Sequence, residues 1–329
     1  MSNAPKNATE KAFQENLVNE LQKYSWSAPD ELNGNLHKVT VETLIENWRS
    51  ELNRINKNVL EGVPLTDNEF SQVLSRVNQI NNSYEAAKIL AAENGKGKID
   101  GIWRDDNPEV TKKQITLTIY RKAPVLGGDS SYQIAREVTT KNNNRFDIVL
   151  LICGLPVINI EQKRTDKTID EAFGQFKRYY QDGEYTNNFM AFSQMMVICT
   201  EIDTEYFATP KSLSDFNRAF CFHWTDKDNN RITDWRQIAS TFLKIPMAHQ
   251  MVGDYLVINE SEKEDEKCHM VMRPYQVYAL QAVELAATGQ DGKCGGFPHG
   301  GFIWHTTGSG KTITSFKTAL FLSKRAGFD

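Results

Sequence analysis

Between Phe146 and Lys163 two apolar runs flank a single break, and this stretch narrows the folds open to the chain more than any other. Phe146-Asp147-Ile148-Val149-Leu150-Leu151-Ile152 leads into Cys153-Gly154-Leu155-Pro156, then Val157-Ile158-Asn159-Ile160-Glu161-Gln162-Lys163. The pattern predicts a strand, a turn and a strand. In the second run, period-two alternation puts Val157, Asn159, Glu161 and Lys163 on one face and Ile158, Ile160 and Gln162 on the other. Glu161 and Lys163 therefore look the same way. A one-residue slip flips a strand's faces, so Asp147 joins them only if the connecting loop has an odd residue count, as Gly154-Leu155-Pro156 would give.

Two carboxylates and an amine gathered there suit metal-assisted hydrolysis of a phosphodiester. A hard divalent cation takes carboxylate oxygens, uses few protein ligands and keeps waters that can become the nucleophile. On this reading Asp147 and Glu161 hold Mg2+ beside a backbone carbonyl near Gln162. Lys163 orients or deprotonates the water, or offsets charge developing on the scissile phosphate. A surface hairpin with ordinary solvated charges shows the same spacing. Downstream, Thr168-x-x-Glu171 predicts a capping box opening a helix through Ala172, Phe173, Phe176 and Tyr180. Gln175 and Tyr179 share one face of it and can reach phosphate oxygens or metal-bound water; packing of the Tyr179 ring against a sheet is compatible with the same placement.

Amphipathic stripes precede the hairpin: Phe13, Leu17 and Leu21; then Val41, Leu44, Ile45, Trp48, Leu52 and Ile55; then Phe70, Val73, Leu74, Val77 and Ile80 behind the capping box Thr66-x-x-Glu69. β-Branched runs follow at 114–120 and 132–138, with Gly127-Gly128-Asp129 as a loop. Further apolar runs lie at 195–199 and 219–223. The order predicts an α/β fold, a mixed sheet flanked by helices. It places a helical lead-in over 10–92 and a core over about 112–225, inside a domain spanning 1–258. The charged run 259–267 is read as an exposed linker and 259–329 as the start of a second domain, as 329 residues lead one to expect.

In that second part, Gly301-Phe302-Ile303-Trp304 predicts a short strand, and His305-Thr306-Thr307-Gly308-Ser309-Gly310-Lys311-Thr312 a phosphate-binding loop leading into a helix, with His305 where the first Gly usually stands. Gly308 and Gly310 permit close backbone approach to phosphates, and Thr307 and Ser309 complete the loop. Lys311 can reach the β- and γ-phosphates and Thr312 can ligate magnesium, so ATP is the expected ligand. Upstream, Gln276 opens a helix and resembles the adenine-reading glutamine of superfamily 2 helicases.

Together these segments resemble the N-terminal part of the restriction (R, HsdR) subunit of type I restriction-modification enzymes. Met272-Arg273-Pro274-Tyr275-Gln276 and Trp304 to Thr312 look like that family's signature segments. Gly154-Leu155-Pro156 and Ile160-Glu161-Gln162-Lys163-Arg164 resemble its nuclease core, and Gln175-x-x-x-Tyr179 is similar to the RecB-type nuclease motif. The resemblance implies a PD-(D/E)XK restriction-endonuclease-like fold followed by the start of a RecA-like helicase domain. It also implies ATP-driven translocation along double-stranded DNA and assembly with methyltransferase and DNA-specificity subunits. Phe146 stands where the family commonly has Pro, and Glu10 is a candidate match to an additional acidic residue near such sites. Only 18 residues follow Lys311, so the chain is expected to be a fragment without the rest of the motor, and without ATPase activity of its own.

Two other readings share the sequence: a motor in which the hairpin is structural, and a non-catalytic assembly or DNA-binding module docking through the lead-in and residues 203–254. A net charge of −4 excludes bulk-basic coating of nucleic acid, leaving a local strip of Lys163, Arg164, Lys167, Lys177 and Arg178. Five cysteines without a C-x-x-C pair predict free thiols rather than a disulfide framework, and Cys268-His269 lacks the second pair a zinc site needs. No apolar run reaches the roughly 18 residues of a membrane span, and the polar start carries no signal peptide, so a cytoplasmic protein is expected.

Overall fold

The apolar runs become strands where the alternation predicts them. The computed structural model describes residues 6–34, 36–90, 96–104, 107–121, 130–164 and 167–323; the Gly127-Gly128-Asp129 loop lies outside them. The chain divides into two units, residues 1–222 with 233–271, and residues 223–232 with 272–329.

In the first unit, helices α1 (Lys6–Gln22), α2 (Val41–Ile55), α3 (Asp67–Val77) and α4 (Ser83–Leu90) precede a two-stranded antiparallel sheet of β1 (Lys96–Trp103) and β2 (Gln114–Arg121). In the larger, six-stranded sheet, β3 (Tyr132–Thr139), β4 (Arg145–Ile152), β5 (Leu155–Gln162), β6 (Met195–Cys199) and β7 (Thr204–Ala208) lie side by side in that order. The sheet is mixed. Of the neighbouring pairs from β3 to β7, only β5 and β6 are parallel, and such a pair needs a crossover, which contains α5 (Ile169–Gln181). Helix α2 packs on β3 and β5, and α5 on β5 and β6. The predicted stripes face inward: Phe13, Leu17 and Leu21, then Leu44, Trp48 and Leu52, then Phe70, Val73 and Val77 are all buried. The Thr66 capping box forms in full, whereas at Thr168 only the half in which its side chain accepts from the Glu171 N–H is present. Glu171 instead pairs with Lys167 at 3.0 Å.

Several elements differ from expectation. Strand β1 was not expected, since its glycines interrupt the alternation; pairing with β2, across two register irregularities, makes it a strand. Residues 114–121 consequently belong to the small sheet rather than the large one. The charged stretch expected as an interdomain linker is the exposed loop of a hairpin, Leu256–Asn259 against Cys268–Val271, inside the first unit. High charge density marked exposure correctly, but it carries no information about where the chain next packs.

Two buried histidines tie distant segments of this unit together. His249 lies between the Tyr132 hydroxyl at 3.0 Å and the Arg121 carbonyl at 2.8 Å, and His269 faces the Gln194 carbonyl at 3.3 Å. Burial pushes the pKa of each down from 6.5 to about 4. The unfolded chain thus binds protons at these rings before the folded chain does. Their stabilisation is complete above pH 6.5 and is lost as pH falls toward 4, by roughly 1.4 kcal/mol per pH unit for each ring. Urea unfolding of the parent and a His269→Asn variant across this range should show the parent's advantage shrinking as pH falls; a pH-independent difference would refute the burial effect.

The second unit contains α6 (Pro274–Ala287) and α7 (Lys311–Leu322), packed on each other. The Tyr278 hydroxyl bonds the Thr225 carbonyl at 2.8 Å, joining residues 223–232 to it. Residues 301–304 are not a strand, and Phe302 and Trp304 are each 87% exposed. A strand requires a neighbour for its ladder, and none pairs with this run among the described residues.

Candidate functional site

Asp147, Glu161 and Lys163 meet at one end of β4 and β5, by a route the loop-parity expectation did not foresee. The turn is Cys153-Gly154, both at left-handed φ (53° and 78°), and contains two residues rather than an odd number. Gly154 is needed for a second reason: a Cβ there would lie 2.9 Å from the Cα of Trp48 on α2. The register beside the turn, Ile152 with Leu155 and Leu151 with Pro156, would by itself place Asp147 opposite Ile160. A bulge at Val157 adds one residue to β5. Beyond it, Leu150 pairs with Ile158 and Ile148 with Ile160. Continuing that register sets Asp147 opposite Glu161, on the same face. Pro156, unable to donate to a ladder, sits at the irregularity where such a residue is tolerated. The Val157 carbonyl accepts from the Gln194 N–H at 2.8 Å.

Asp147 Oδ2 accepts the Gln162 backbone N–H at 2.8 Å, and Lys163 Nζ donates to Glu161 Oε1 at 2.5 Å. Glu161 is 1% exposed and Asp147 6%. Burial, then the neighbouring Asp147 carboxylate, raise the Glu161 pKa well above the ordinary range; burial also raises that of Asp147, against the pull of Lys163. For Lys163, burial works against the charge, but Glu161 outweighs it and the pKa is raised. Two opposed buried carboxyls with one ammonium are short of positive charge. The donor set fits a hard divalent cation, which would supply that charge through oxygen ligands.

Gln175 and Tyr179 arrive from α5, four residues apart. Gln175 Nε2 donates to the Tyr179 hydroxyl, which donates to the Arg145 carbonyl at 2.7 Å. The Tyr179 ring meets Phe146 edge-on at 5.2 Å. The expectation that both groups face phosphate or water is thus modified: the hydroxyl anchors the first residue of β4, and Tyr179 is a positioning group as well as a wall. Asp147, Lys163, Gln175 and Tyr179 line one cavity of about 470 Å³, joined by Glu10 and Arg178. Lys177 is exposed on α5 and is not part of that lining. Replacing Tyr179 by Phe removes the donor to Arg145 and the acceptor for Gln175. It should destabilise the unit by about 1–2 kcal/mol in urea unfolding, and an unchanged midpoint would dismiss the anchor.

Sequence reasoning missed Gln14, Glu137 and Arg145. Gln14, buried on α1, donates to the Asp147 carbonyl at 3.1 Å and to Glu137 Oε1 at 2.9 Å; Arg145 bridges to Glu137 Oε2 at 2.8 Å. A signal was present, since residues 10, 14, 17 and 21 continue one stripe and Gln14 is a polar residue on it. Glu137 sits at φ 53° within β3, unusual for a non-glycine residue.

In the second unit, the loop Thr306 to Gly310 curls at the start of α7, with Gly308 and Gly310 at φ 78° and 79°. Lys311 Nζ is held by the Thr306 carbonyl at 2.9 Å, while Thr307 and Thr312 are exposed. Gln276 does not present a free amide. Its Nε2 donates to the Ser309 carbonyl at 3.1 Å, beside the Tyr275 hydroxyl at 2.8 Å, and its Oε1 accepts the Arg273 N–H at 2.9 Å. A Cβ at Gly310 would collide with that amide.

Against known proteins, residues 7–215 match the family profile described as type I restriction enzyme R protein N terminus. Residues 269–328 match that of type III restriction enzyme, res subunit. The chain is 33% identical over 322 residues to the type I restriction enzyme SauMSSORF170P endonuclease subunit of Staphylococcus aureus strain MSSA476, covering 96% of this chain and 30% of that protein. It is 35% identical over 286 residues to the SsaAORF53P endonuclease subunit of Staphylococcus saprophyticus, covering 86% and 28%. Similarity extends to the EcoprrI endonuclease subunit of Escherichia coli, 31% over 141 residues, covering 43% and 44%. The chain thus spans less than a third of the length of the two staphylococcal relatives.

Proposed function

Since the chain belongs to the type I restriction enzyme R protein family, as its N-terminal part, we propose that the β4–β5 site hydrolyses DNA phosphodiesters with Mg2+. The observation that carries this reading is the bulge at Val157, which turns Asp147 to the face of Glu161; a hairpin serving only as structure needs no such parity. The fold is then of the PD-(D/E)XK restriction-endonuclease-like kind. Asp147 and Glu161 would hold the metal, which when bound supplies Lewis-acid stabilisation of the scissile phosphate and a more acidic water. Lys163, fixed on Glu161 and facing the cavity, would orient that water or meet charge developing on the phosphate. Gln175 and Tyr179 keep β4 in place, and Arg178 gives the cavity a cationic wall.

The second unit is, on this reading, the beginning of a RecA-like ATPase domain. Its loop would take ATP phosphates once Lys311 leaves the Thr306 carbonyl, and Gln276 would read adenine once its amide leaves Ser309. The complete subunit would use ATP to translocate double-stranded DNA alongside methyltransferase and DNA-specificity subunits. The test is cleavage of unmodified DNA by the assembled enzyme carrying Glu161→Ala or Lys163→Ala, with ATP hydrolysis followed in the same sample. Cleavage should vanish while hydrolysis continues; cleavage that persists would remove the site assignment.

A further inference from the structure

Asn143 lies in the β3–β4 turn and lines the cavity of about 470 Å³ that also holds Asp147 and Lys163. The turn is tied to Asp182 and Glu184, at the C-terminal end of α5. Thr140 Oγ1 donates to Glu184 Oε1 at 2.6 Å, the Asn142 amide to the Asp182 carbonyl at 2.8 Å, and the Asn144 amide to Asp182 Oδ2 at 2.9 Å and Glu184 Oε1 at 2.7 Å. Within the turn, the Asn144 N–H donates to Thr140 Oγ1 and the Asn143 N–H to the Thr140 carbonyl, each at 3.1 Å. Two of the three successive asparagine side chains thus fix the turn. The third does not: Asn143 is exposed, and its carboxamide makes no hydrogen bond among the described residues. Its left-handed φ of 60° suits asparagine and glycine alike, so the backbone alone does not call for the carboxamide.

The same cavity is lined by Arg178 of α5, which is exposed and whose guanidinium makes no ion pair or hydrogen bond among the described residues. The other charges of the lining are engaged. Lys163 lies on Glu161, Arg145 on Glu137, Asp147 on the Gln162 N–H and Asp182 on Asn144, while Glu10 adds to the field on Lys163. A guanidinium and a carboxamide are therefore the groups left to meet a ligand. Together they suit a phosphodiester: the guanidinium fork takes the charged oxygens and the amide donates a further hydrogen bond. The scissile phosphate belongs at Asp147, Glu161 and Lys163, and DNA brings another phosphate at every nucleotide. A cavity of this volume takes more than one small anion.

We propose that Asn143 and Arg178 are positioning residues that clamp the DNA phosphate next to the scissile one. The inference rests on the nuclease reading above and deepens it. Because the turn is bonded to the end of α5 through Thr140, Asn142 and Asn144, the two donors are set relative to each other before DNA arrives, which lowers the cost of ordering them. Phosphate contacts fix register and orientation and carry no base identity, so the clamp holds the backbone for cutting whatever the sequence.

The experiment follows cleavage of unmodified DNA across a salt series by the assembled enzyme carrying Arg178→Gln, Arg178→Lys or Asn143→Gly, with ATP hydrolysis in the same samples and urea unfolding of each chain. Arg178→Gln should cut about tenfold more slowly. Its log rate should also fall with log salt less steeply than the parent's, by about one in slope, as for the loss of one phosphate contact. Arg178→Lys keeps the charge without the fork, so it should show the parent's slope with a rate between the two. Asn143→Gly keeps the left-handed turn and loses only the amide. It should cut about threefold more slowly at the parent's slope, since a neutral group releases no counterion. Hydrolysis and unfolding midpoints should match the parent throughout. Cutting at the parent's rate by Arg178→Gln or Asn143→Gly would overturn the clamp. So would slower cutting by Arg178→Gln with the parent's salt slope, or slower cutting that tracks a lowered unfolding midpoint, which would mark a contact with protein or a role in the fold. Glu161→Ala run alongside keeps the failures distinguishable: if it still cut, the nuclease reading itself would fall.

Discussion

Glu161→Gln is expected to end DNA cleavage by the assembled enzyme while making the metal-free chain more stable. The side chain is almost completely enclosed, bonded to Lys163 and opposed to Asp147, and its pKa is raised by burial and by that second carboxylate. A carboxyl with a raised folded pKa contributes stability at low pH and loses it as pH rises through that folded value. The neutral, isosteric amide relieves the like-charge contact, for a gain of roughly 1–2 kcal/mol, or a few degrees in thermal midpoint. The gain should grow from pH 5 to pH 8. A carboxamide is a poor substitute for a carboxylate ligand to magnesium, so cleavage should fall by about 10³-fold or more, the scale seen when a group acting on transition-state charge is removed. A variant that keeps cleaving would end the metal-site assignment, whereas one that loses cleavage and stability together would show that Glu161 serves the fold.

The other large effect lies away from the site. Arg104 is fully buried and Glu69 is 1% exposed; Arg104 Nε reaches Glu69 Oε1 at 2.8 Å, and its two terminal nitrogens bond the Leu60 and Val63 carbonyls at 3.1 Å each. Glu69 also closes the capping box, accepting the Thr66 N–H at 3.0 Å. Arg104→Ala leaves a buried carboxylate and two carbonyls without their partner. It should cost about 3–5 kcal/mol, lowering the thermal midpoint by roughly 10 °C. The double change Arg104→Met with Glu69→Leu removes both charges, yet recovers only part of the loss, because the carbonyls and the helix cap stay unsatisfied. A single variant melting within a degree or two of the parent would show that this pair contributes little.

Much of the site was legible because its signals are local. Period-two alternation put Glu161 and Lys163 on one face, and three-and-four spacing put Gln175 beside Tyr179. The facing of Asp147 was not legible, since parity depended on one extra residue at Val157, and no composition rule distinguishes a bulge there from a longer turn. Gln14 escaped for a similar reason: its partners, the Asp147 carbonyl and Glu137, lie more than a hundred residues away. Residues 301–304 have strand-like composition but no strand pairs with them among the described residues.

The sequence by itself determined what repeats over a few residues: the amphipathic stripes, the helix starts at Thr66 and Thr168, the two central strands, and the spacing of the candidate carboxylates and amine. Only the tertiary structure decided which face Asp147 occupies, that the Tyr179 hydroxyl is tied to Arg145, and that the Gln162 side chain is buried. Periodicity reflects which side of an element meets the core, a local property of the chain. Strand register and the partners of buried polar groups depend on packing between segments far apart in sequence, and no local pattern encodes that.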